Sequence, residues 1–301
     1  MHVHAILNAK AGTLLDRDPQ EVADAVEARL REGGHEVTVE LVEPEEIGAA
    51  MDRAIAAGPD ALVVGGGDGT IKAAAAKLAG TDTALGIIPL GTINLLARDL
   101  HIPLDPEEAA AALSGGKRRA IDVADVNGHI FLCSSLLGLP IKIAEQRQAL
   151  RGRSFGERLG RYWSIVHHFL SNRRRFEIVV DDGEYPRRVR AMSIAISNNP
   201  LSETAGTIPT RRRITGGQLA LYLSKHKTGG AMGWSIVQRM LGRWRPDPEI
   251  EEFCASSIIL RSRREKVRAS NDGEIEELET PLKYSIRPLA LNVIAPEAAQ
   301  P

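Results

Sequence analysis

Apolar positions recur with two different periods along the first 100 residues. Continuous or alternating apolar residues, which are typical of strands, occupy residues 3–8, 36–42, 61–64 and 85–90. Apolar residues three or four positions apart, which are typical of helices, occupy residues 19–32, 45–57, 70–78 and 93–100. Strands that alternate with helices in this way predict a parallel sheet with helices on both faces.

After residue 120 the pattern changes to many short strand-like runs. They occupy residues 120–126, 130–134, 176–180, 191–197, 218–223, 256–260 and 266–270. Turn-forming pairs such as Asn127-Gly128 separate many of them, which predicts a mainly antiparallel β-sandwich. Helical patterns interrupt the strands at 143–170 and 230–241. We therefore predict an α/β domain over residues 1–122 and a β-rich domain over residues 123–295.

Charge differs between the two parts of the chain, although the net charge of all 301 residues is only −1. Residues 1–130 hold 11 basic and 21 acidic side chains, whereas the remaining residues hold 27 basic and 18 acidic ones. Two interpretations stay open: the domains differ in sign without consequence, or the basic domain faces an anionic membrane surface. Nucleic acid is the less favoured partner because no aromatic stacking platform accompanies the positive charge.

Arginines are concentrated in and just after the predicted helix at 143–170. Four arginines fall on or near one face of this helix: Arg147, Arg151, Arg158 and Arg161. Three more follow the helix at residues 173–175. A solvated basic face and a docking site for anionic lipid headgroups both fit this spacing.

The sequence features that bear on location favour the cytoplasm. The two cysteines, Cys133 and Cys254, form no metal-binding pair and no disulfide framework, which suits a reducing compartment. The first residues do not resemble a signal peptide, and no run of about 18 apolar residues is present. We expect a cytoplasmic protein that reaches a membrane substrate from the side, by peripheral contact, and we leave its oligomeric state open.

The strongest chemical signal lies at residues 65–70, which read Gly-Gly-Gly-Asp-Gly-Thr after a buried strand. Glycines permit positive φ angles and let a backbone come close to a ligand, so that successive N–H groups can point at phosphate oxygens. The positive end of the following helix would support this binding, and we expect Thr70 to cap that helix. Asp68 would lie among the phosphates, where it could contact Mg²⁺ or a substrate hydroxyl.

A second strand–turn–helix pattern occupies residues 87–98, which read Ile-Ile-Pro-Leu-Gly-Thr-Ile-Asn-Leu-Leu-Ala-Arg. We expect Thr92 to cap the helix and Asn94 to lie in its first turn. Both turns follow strands of one parallel sheet, and ligands bind at the carboxyl ends of such strands. Thr92 and Asn94 are therefore predicted to reach the same cleft as the first turn.

Together these segments resemble the diacylglycerol kinase catalytic-domain family, which includes the sphingosine kinases and bacterial lipid kinases. Residues 66–70 match its Gly-Gly-Asp-Gly-Thr signature, and residues 89–94 match its Pro-Leu-Gly-Thr-x-Asn block. Residues 8–12 resemble its Asn-Pro-x-Ser-Gly turn, with Ala9 in place of Pro and Ala11 in place of Ser. Residues 121–123 resemble the strand that opens its second domain, and residues 271–274 resemble its Asp-Gly-Glu turn.

The resemblance implies an ATP-dependent lipid kinase, with Mg²⁺ arriving with ATP and a lipid substrate at the membrane surface. It implies that Glu274 accepts the proton of the lipid hydroxyl and that Asp68 is the other essential carboxylate. Lys10 and Asp122 would belong to a polar network beneath the phosphates. The complete set of predicted nucleotide-site residues is Asn8, Lys10, Gly66, Gly67, Asp68, Gly69, Thr70, Thr92, Asn94 and Asp122.

The chain departs from the family pattern at two places. Leu95 follows the Asn where many members have Asp, so one acidic group of the site is replaced. Residues 213–219 align with a stretch whose Asp helps to hold a structural Mg²⁺ in some bacterial members. Thr215 and Gly216 stand there instead of acids, so we expect no such metal, and we name no metal ligands.

Two other functions remain open. An NAD kinase shares the Gly-Gly-Asp-Gly-Thr turn, but we find no downstream Asn-Glu segment of the kind that binds its substrate's ribose. A nucleotide-binding protein without turnover is the alternative from another class, with Leu95 as the mark of a lost site. The lipid acceptor is not identified by the sequence.

Overall fold

The structure of the chain is a computed structural model that describes residues 1–14, 17–138, 176–181, 186–202, 210–228, 230–231 and 247–297. It divides into two compact units. Unit one comprises Met1–Val123 and the segment that begins at Arg287, and unit two comprises Ala124–Ile286. The sequence-based boundary assigned everything from residue 123 to residue 295 to the second domain. In the structure the chain returns to unit one at residue 287.

Unit one is built around a parallel sheet. Its strands are β1 (His2–Asn8), β2 (Glu36–Val42), β3 (Ala61–Gly66) and β4 (Ala84–Pro89), with β5 (Lys117–Val126) and β16 (Leu282–Ala295) continuing into unit two. The strand order is β2-β1-β3-β4-β16, and Val293 of β16 pairs in parallel with Leu85 of β4. Strands β3 and β4 are buried along their whole length, as expected for strands that helices cover on both faces.

The helices of unit one are α1 (Pro19–Glu32), α2 (Ile47–Ala56), α3 (Asp68–Leu78), α4 (Leu95–Asp99) and α5 (Pro106–Ser114). Helix α1 begins where the side chain of Asp18 accepts a hydrogen bond from the Gln20 N–H, and it buries Val22, Val26 and Leu30. Helix α5 has the same N-terminal chemistry, with Asp105 as cap and Pro106 next to it. Our sequence reading did not predict α5, although this signal was available.

Unit two consists of two sheets, and all of its described strand pairs are antiparallel. One sheet has the order β12-β11-β10-β7-β14-β15, and the other contains the first part of β16 followed by β13, β8 and β9, with β5 and β6. The strand bounds are β6 (His129–Phe131), β7 (Ser134–Gly138), β8 (Phe176–Asp181), β9 (Arg187–Ala191), β10 (Ser193–Asn198), β11 (Leu219–Ser224), β12 (Ile250–Ala255), β13 (Ser257–Arg261), β14 (Lys266–Asn271) and β15 (Glu274–Glu279).

The core of unit two lies between these two sheets. Its buried residues alternate along the strands and come from both sheets, for example Ile194 and Leu221 from one and Leu260 and Tyr284 from the other. Inward-facing apolar residues on two facing sheets are the defining feature of a β-sandwich. Both parts of the predicted fold class, the parallel α/β domain and the antiparallel sandwich, are thereby confirmed.

Some predicted elements can be compared with the structure and others cannot. The predicted strands did not include β7, β9, β12, β15 and β16. In β9, β12 and β15 exposed charged residues hide the alternation. The predicted helices at 143–170 and 230–241, the arginines at 147–161 and the run at 173–175 lie almost wholly outside the described residues. No helix in the described part of the chain has the length and apolar character needed to cross a bilayer.

Candidate active site

The carboxyl ends of the central strands of unit one meet at one edge of the sheet. Strand β1 pairs with β3 so that Leu7 lies opposite Gly65, and β3 pairs with β4 so that Gly66 lies opposite Pro89. Asn8 and both glycine turns therefore follow neighbouring strands at the same level. The sheet register brings these predicted site residues together, as the sequence reading expected.

The first glycine turn is shorter than predicted. Strand β3 extends to Gly66 and helix α3 already begins at Asp68, with Gly67 as its N-terminal cap residue. Thr70 therefore lies within the first turn of the helix, so the predicted capping role for Thr70 is wrong. The helix starts two residues earlier than predicted because Gly67, and not Thr70, is its cap residue.

The glycines of this turn serve close packing and not unusual backbone angles. Gly65, Gly66 and Gly67 do not have positive φ angles, in contrast to our expectation. A Cβ atom on Gly66 would lie 2.6 Å from the Cβ of Thr70, and a Cβ on Gly91 would lie 2.6 Å from the Cα of Gly67. Real Cβ atoms do not approach other atoms so closely, so the two turns can touch only because these positions lack side chains.

The second turn is organised by Asn94. This residue has a left-handed backbone (φ 54°), and helix α4 begins after it, at Leu95, two residues later than predicted. The Asn94 side chain accepts a hydrogen bond from the Gly91 N–H (3.0 Å) and donates one to the Gly91 carbonyl (2.7 Å). Thr92 is exposed on the turn between them and is not the cap residue. Asn94 is buried and fixes the turn.

Asp68 connects the two turns. One oxygen of its carboxylate accepts a hydrogen bond from the Asn94 N–H (3.1 Å), and the other accepts one from the Leu95 N–H (2.7 Å). These two N–H groups lie at the start of helix α4, so Asp68 caps that helix from a distance of 26 residues along the chain. From the sequence we expected Asp68 to contact Mg²⁺ or a substrate hydroxyl. Its contact with the start of helix α4 was not predicted.

The remaining predicted residues of unit one have separate partners. Asn8 accepts a hydrogen bond from the Lys10 N–H (3.0 Å), and the Lys10 ammonium is 2.7 Å from the Glu43 carboxylate. The hydrogen bond and charge of Glu43 raise the pKa of Lys10, whose side chain is 64% exposed. Asp122 is buried and accepts a hydrogen bond from the Leu289 N–H (2.9 Å). The resemblance implied one polar network that contains Lys10 and Asp122. In the structure the contact of Lys10 is with Glu43, and that of Asp122 is with the Leu289 N–H.

Glu274 lies in unit two, at the first position of β15. It follows a two-residue hairpin turn in which Asp272 and Gly273 both have positive φ angles (52° and 91°). Asn271 and Glu274 are directly opposite each other on the two strands. This is the tight hairpin turn that an Asp-Gly pair favours. The Glu274 side chain is exposed.

Asp272 fixes this turn and is the residue that the sequence reading passed over. Its carboxylate is buried and accepts hydrogen bonds from three consecutive N–H groups, at residues 132, 133 and 134, at 2.6, 2.9 and 2.9 Å. The Asp272 N–H in turn donates to the Ser134 carbonyl (2.9 Å). The Asn-Asp-Gly-Glu sequence marked a turn, but a contact across 140 residues has no local signal.

A buried cation, Arg211, lies just before residues 213–219, the segment for which we expected no structural metal. Arg211 is buried, and its guanidinium donates hydrogen bonds to the carbonyls of Leu132 (2.6 Å) and Asn198 (3.2 Å). A Cβ on Gly216 would lie 2.6 Å from the Asn199 side-chain oxygen. Within the described ranges no three His, Cys, Asp or Glu side chains are grouped as metal ligands.

Comparison with known proteins gives these observations a family context. Residues 2–126 match the family model of the diacylglycerol kinase catalytic domain. A probable lipid kinase YegS-like protein of Pseudomonas aeruginosa is 42% identical over 127 residues, which are 41% of this chain and 41% of that protein. The match thus spans about two fifths of that relative's length. A protein of the same name from Chromohalobacter salexigens is 29% identical over 74% of this chain and 71% of its own length.

Solved structures extend the likeness to both units. A putative diacylglycerol kinase from Bacillus anthracis superposes with a TM-score of 0.76 and 22% identity, covering 99% of this chain and 98% of that chain. Another structure from the same organism gives a TM-score of 0.76 at 24% identity. At these identities the likeness establishes the fold. The resemblance drawn from the motifs is confirmed by the family match over residues 2–126.

Proposed function

We propose that this chain, whose residues 2–126 match the catalytic domain of the diacylglycerol kinases, is an ATP-dependent kinase that phosphorylates a lipid hydroxyl. The observation that carries the proposal is the pair of glycine turns at the carboxyl edge of the parallel sheet. They touch at Gly67 and Gly91 and are joined by Asp68.

The first turn offers what a polyphosphate needs. Helix α3 has eleven residues, and its N-terminal cap residue, Gly67, has no side chain that could hydrogen-bond to the first N–H groups. The first N–H groups of a helix lack intrahelical acceptors and form a natural site for phosphate oxygens. The missing side chain at Gly67 keeps this end accessible. Thr70 and the exposed Thr92 add hydroxyl donors. Asn8 is the last residue of the neighbouring strand β1 and adds a side-chain amide. These residues fit the phosphates of ATP.

Magnesium would enter with the nucleotide. Both oxygens of the Asp68 carboxylate already accept backbone N–H groups, yet each retains acceptor capacity toward a cation. Phosphate oxygens with one or two carboxylates are the usual ligands of Mg²⁺ in kinases. The ion supplies charge neutralisation of the transferred phosphoryl group. Asp68 is the residue of unit one that would meet it, while its backbone contacts keep the carboxylate in a single orientation.

We assign proton transfer to Glu274. A lipid hydroxyl that attacks phosphorus has to lose its proton, and a carboxylate that is exposed and rigidly presented is suited to accept it. The hairpin turn holds the backbone of Glu274, and Asp272 holds the hairpin turn through three N–H groups. The backbone that carries Glu274 is therefore fixed by hydrogen bonds within unit two.

A lipid is the proposed acceptor because the relatives that match residues of unit one are named probable lipid kinases. A diacylglycerol-like lipid at the cytoplasmic surface of a membrane fits the basic charge of the second half of the sequence. The protein would then touch the membrane peripherally. We propose no nucleic-acid partner.

The test is phosphoryl transfer from γ-labelled ATP by the purified protein, with mixed lipid vesicles or NAD as acceptors. Labelled lipid supports the proposal. Labelled NADP would identify an NAD kinase, and ATP binding without transfer to any acceptor would identify a nucleotide-binding protein without turnover. Either of these two results overturns the proposal. The variant Gly91→Ala serves as the negative control, because its extra methyl group meets the backbone of Gly67.

A further inference from the structure

One face of the sandwich in unit two carries exposed arginines that the proposed reaction does not use. Strand β9 pairs with β8 so that Arg188 lies opposite Val179 and Arg190 lies opposite Glu177. Strand β13 pairs with the other side of β8, with Arg261 opposite Val179. Residues directly opposite on paired strands point to the same face of a sheet. We call the surface formed by Arg188, Arg190, Arg261 and Arg263 the arginine face.

Positive charge exceeds negative charge on the arginine face. Glu177 is 3.1 Å from Arg190, 3.5 Å from Arg188 and 4.0 Å from Arg263. The hydrogen bond from Arg190 and the charges of these arginines lower the pKa of Glu177. The three guanidinium side chains are between 70% and 89% exposed. Among the residues of this face that the structure describes, Asp181 is the second carboxylate of β8, so four arginines are opposed by two acids.

At the edge of the sandwich, where β9 and β12 are the outermost strands, a cavity of about 410 Å³ lies between the two sheets, on the other side of β8 and β9 from the arginine face. Its apolar lining comes from both of them, with Val180 and Val189 on one side and Leu223 and Phe253 on the other. This volume lies within the range of about 300–1,000 Å³ that is usual for small-molecule sites. The cavity therefore combines apolar residues of both sheets with charged ones at the edge of the sandwich.

The same cavity has cationic residues in its lining. The Arg187 guanidinium lies over the Phe253 ring at 4.2 Å, and Lys225 forms an ion pair with Glu251. Arg188 borders the cavity from the edge strand β9 and has its side chain on the arginine face. Guanidinium groups are weakly hydrated and bind phosphate in a bidentate manner. An apolar cavity beside basic groups matches a molecule that has a hydrocarbon chain and an anionic head.

We propose that the arginine face and its cavity form a docking site for an anionic phospholipid bilayer, with a chain of one lipid entering the cavity. The inference rests on the proposed function in one respect, which is that the lipid substrate of the kinase lies in a bilayer. It names the surface that meets the membrane. An acidic protein or a nucleic acid would use the arginines but would leave the apolar cavity without a role, which is why the bilayer is the occupant we infer.

The experiment measures binding of the full chain to sedimented vesicles in the absence of ATP. Vesicles of phosphatidylcholine with 30% phosphatidylglycerol are compared with vesicles of phosphatidylcholine alone. The triple variant Arg188→Gln/Arg190→Gln/Arg263→Gln should weaken binding to the anionic vesicles by at least about ten-fold, and high salt should do the same to the unaltered protein. Equal binding by the triple variant and the unaltered protein would overturn the proposal.

A matched control removes the same number of charges from unit one. Arg29, Arg31 and Arg53 are also exposed, at 46%, 60% and 62%. Their triple change to Gln alters the net charge equally, so it should leave vesicle binding within about two-fold. A loss as large as that of the first triple variant would mean that net charge alone drives binding, and the docking site would be rejected. Urea unfolding confirms that both variants are folded.

The cavity is tested with soluble competitors. A short-chain phosphatidic acid below its micellar concentration should displace the protein from vesicles at a concentration at least about ten-fold lower than glycerol phosphate or inorganic phosphate requires. Equal potency of all three would show that only the charged group is recognised, and the role of the cavity would be wrong. Displacement by nucleic acid but by no lipid would identify the arginine face as a site for another polymer and overturn the proposal.

Failure of this inference can be told from failure of the proposed kinase function. Phosphoryl transfer to an acceptor in neutral detergent micelles does not require an anionic surface. A triple variant that loses vesicle binding yet retains micellar activity supports the docking site. An unaltered protein that binds anionic vesicles but transfers no phosphate contradicts the kinase while still supporting the docking site.

Discussion

The two units fix their functional turns by the same kind of contact but present different groups on them. In unit one the Asp68 carboxylate accepts two backbone N–H groups at the start of helix α4. In unit two the Asp272 carboxylate accepts three backbone N–H groups at residues 132–134. Each carboxylate comes from a turn after a strand and holds a segment that is far away in the sequence.

The difference lies in what the anchored turn exposes. Beside Asp68 the start of helix α3 contains Gly67 and Gly69, which have no side chains to cover the first N–H groups of the helix. Around Asp272 the exposed group is the side chain of Glu274, raised on a hairpin turn. Unit one is thus suited to bind a ligand with its main chain, and unit two is suited to present one reactive side chain. Changes to the two turns should therefore separate binding from chemistry.

The largest expected effect is on turnover, in unit two. Glu274→Gln should lower kcat by about 10²–10⁴, because the proton acceptor is lost, while leaving ATP affinity unchanged. Glu277→Gln, at an exposed position of the same strand, is the control and should retain full activity. Steady-state kinetics and calorimetric ATP titration measure the two quantities. Near-full kcat in Glu274→Gln, together with an inactive Asp68→Asn, would move the acceptor role to Asp68.

The next effect is on binding, in unit one. Gly91→Ala should weaken ATP binding by at least about 100-fold, since the new methyl group would lie 2.6 Å from the Gly67 backbone and force the turns apart. Gly48→Ala is the control, because a Cβ there meets nothing within 4 Å and alanine favours a helix. ATP affinity is measured by calorimetry on protein shown to be folded. Unchanged affinity in Gly91→Ala would exclude these turns as the phosphate site.

A third effect concerns stability and compares the carboxylates of Asp68 and Asp272 directly. Asp272→Asn should lower the free energy of unfolding by about 2–4 kcal/mol, since a buried carboxylate with three charge-assisted hydrogen bonds is replaced by a neutral amide. Asp68→Asn should cost about 1 kcal/mol, because Asp68 is partly exposed and accepts two bonds. Urea denaturation gives both values. A larger loss of unfolding free energy in Asp68→Asn than in Asp272→Asn would contradict this prediction.

The smallest effect is expected at Lys10. Its ammonium group is mostly exposed and is held by Glu43, so water and salt screen its charge. Lys10→Met should lower ATP affinity by about three- to ten-fold, and the difference should shrink at high salt. ATP titrations at two ionic strengths measure it. An affinity that does not respond to the substitution would remove Lys10 from the nucleotide site.

The parallel sheet and its glycine turns could be predicted because their signals are local. The buried run before residue 65 marks a strand, and the glycines mark the place where it gives way to a helix. The helix starts were wrong by two residues, because Asp68 and Asn94 act through contacts between the turns. A sequence pattern shows that Asn94 is close to the start of a helix, but not that it adopts a left-handed backbone and encloses Gly91.

The organisation of unit two was predicted only in outline. Its fold class follows from short alternating runs, but its site depends on contacts between residues far apart in the sequence, such as the one between Asp272 and Leu132. The arginine face combines residues from β8, β9 and β13, whose pairing no local pattern encodes. The predicted site residues themselves stay predictions until the variants are measured.

The pairing of β16 with β4 has a consequence for the order of events during synthesis. Val293 lies beside Leu85, and all of unit two, residues 124–286, is translated between them. Unit one therefore leaves the ribosome with the β4 side of its sheet uncovered. It can be completed only after the intervening residues have emerged. A nascent chain stalled before residue 287 would expose the unpaired N–H and C=O groups of that strand edge.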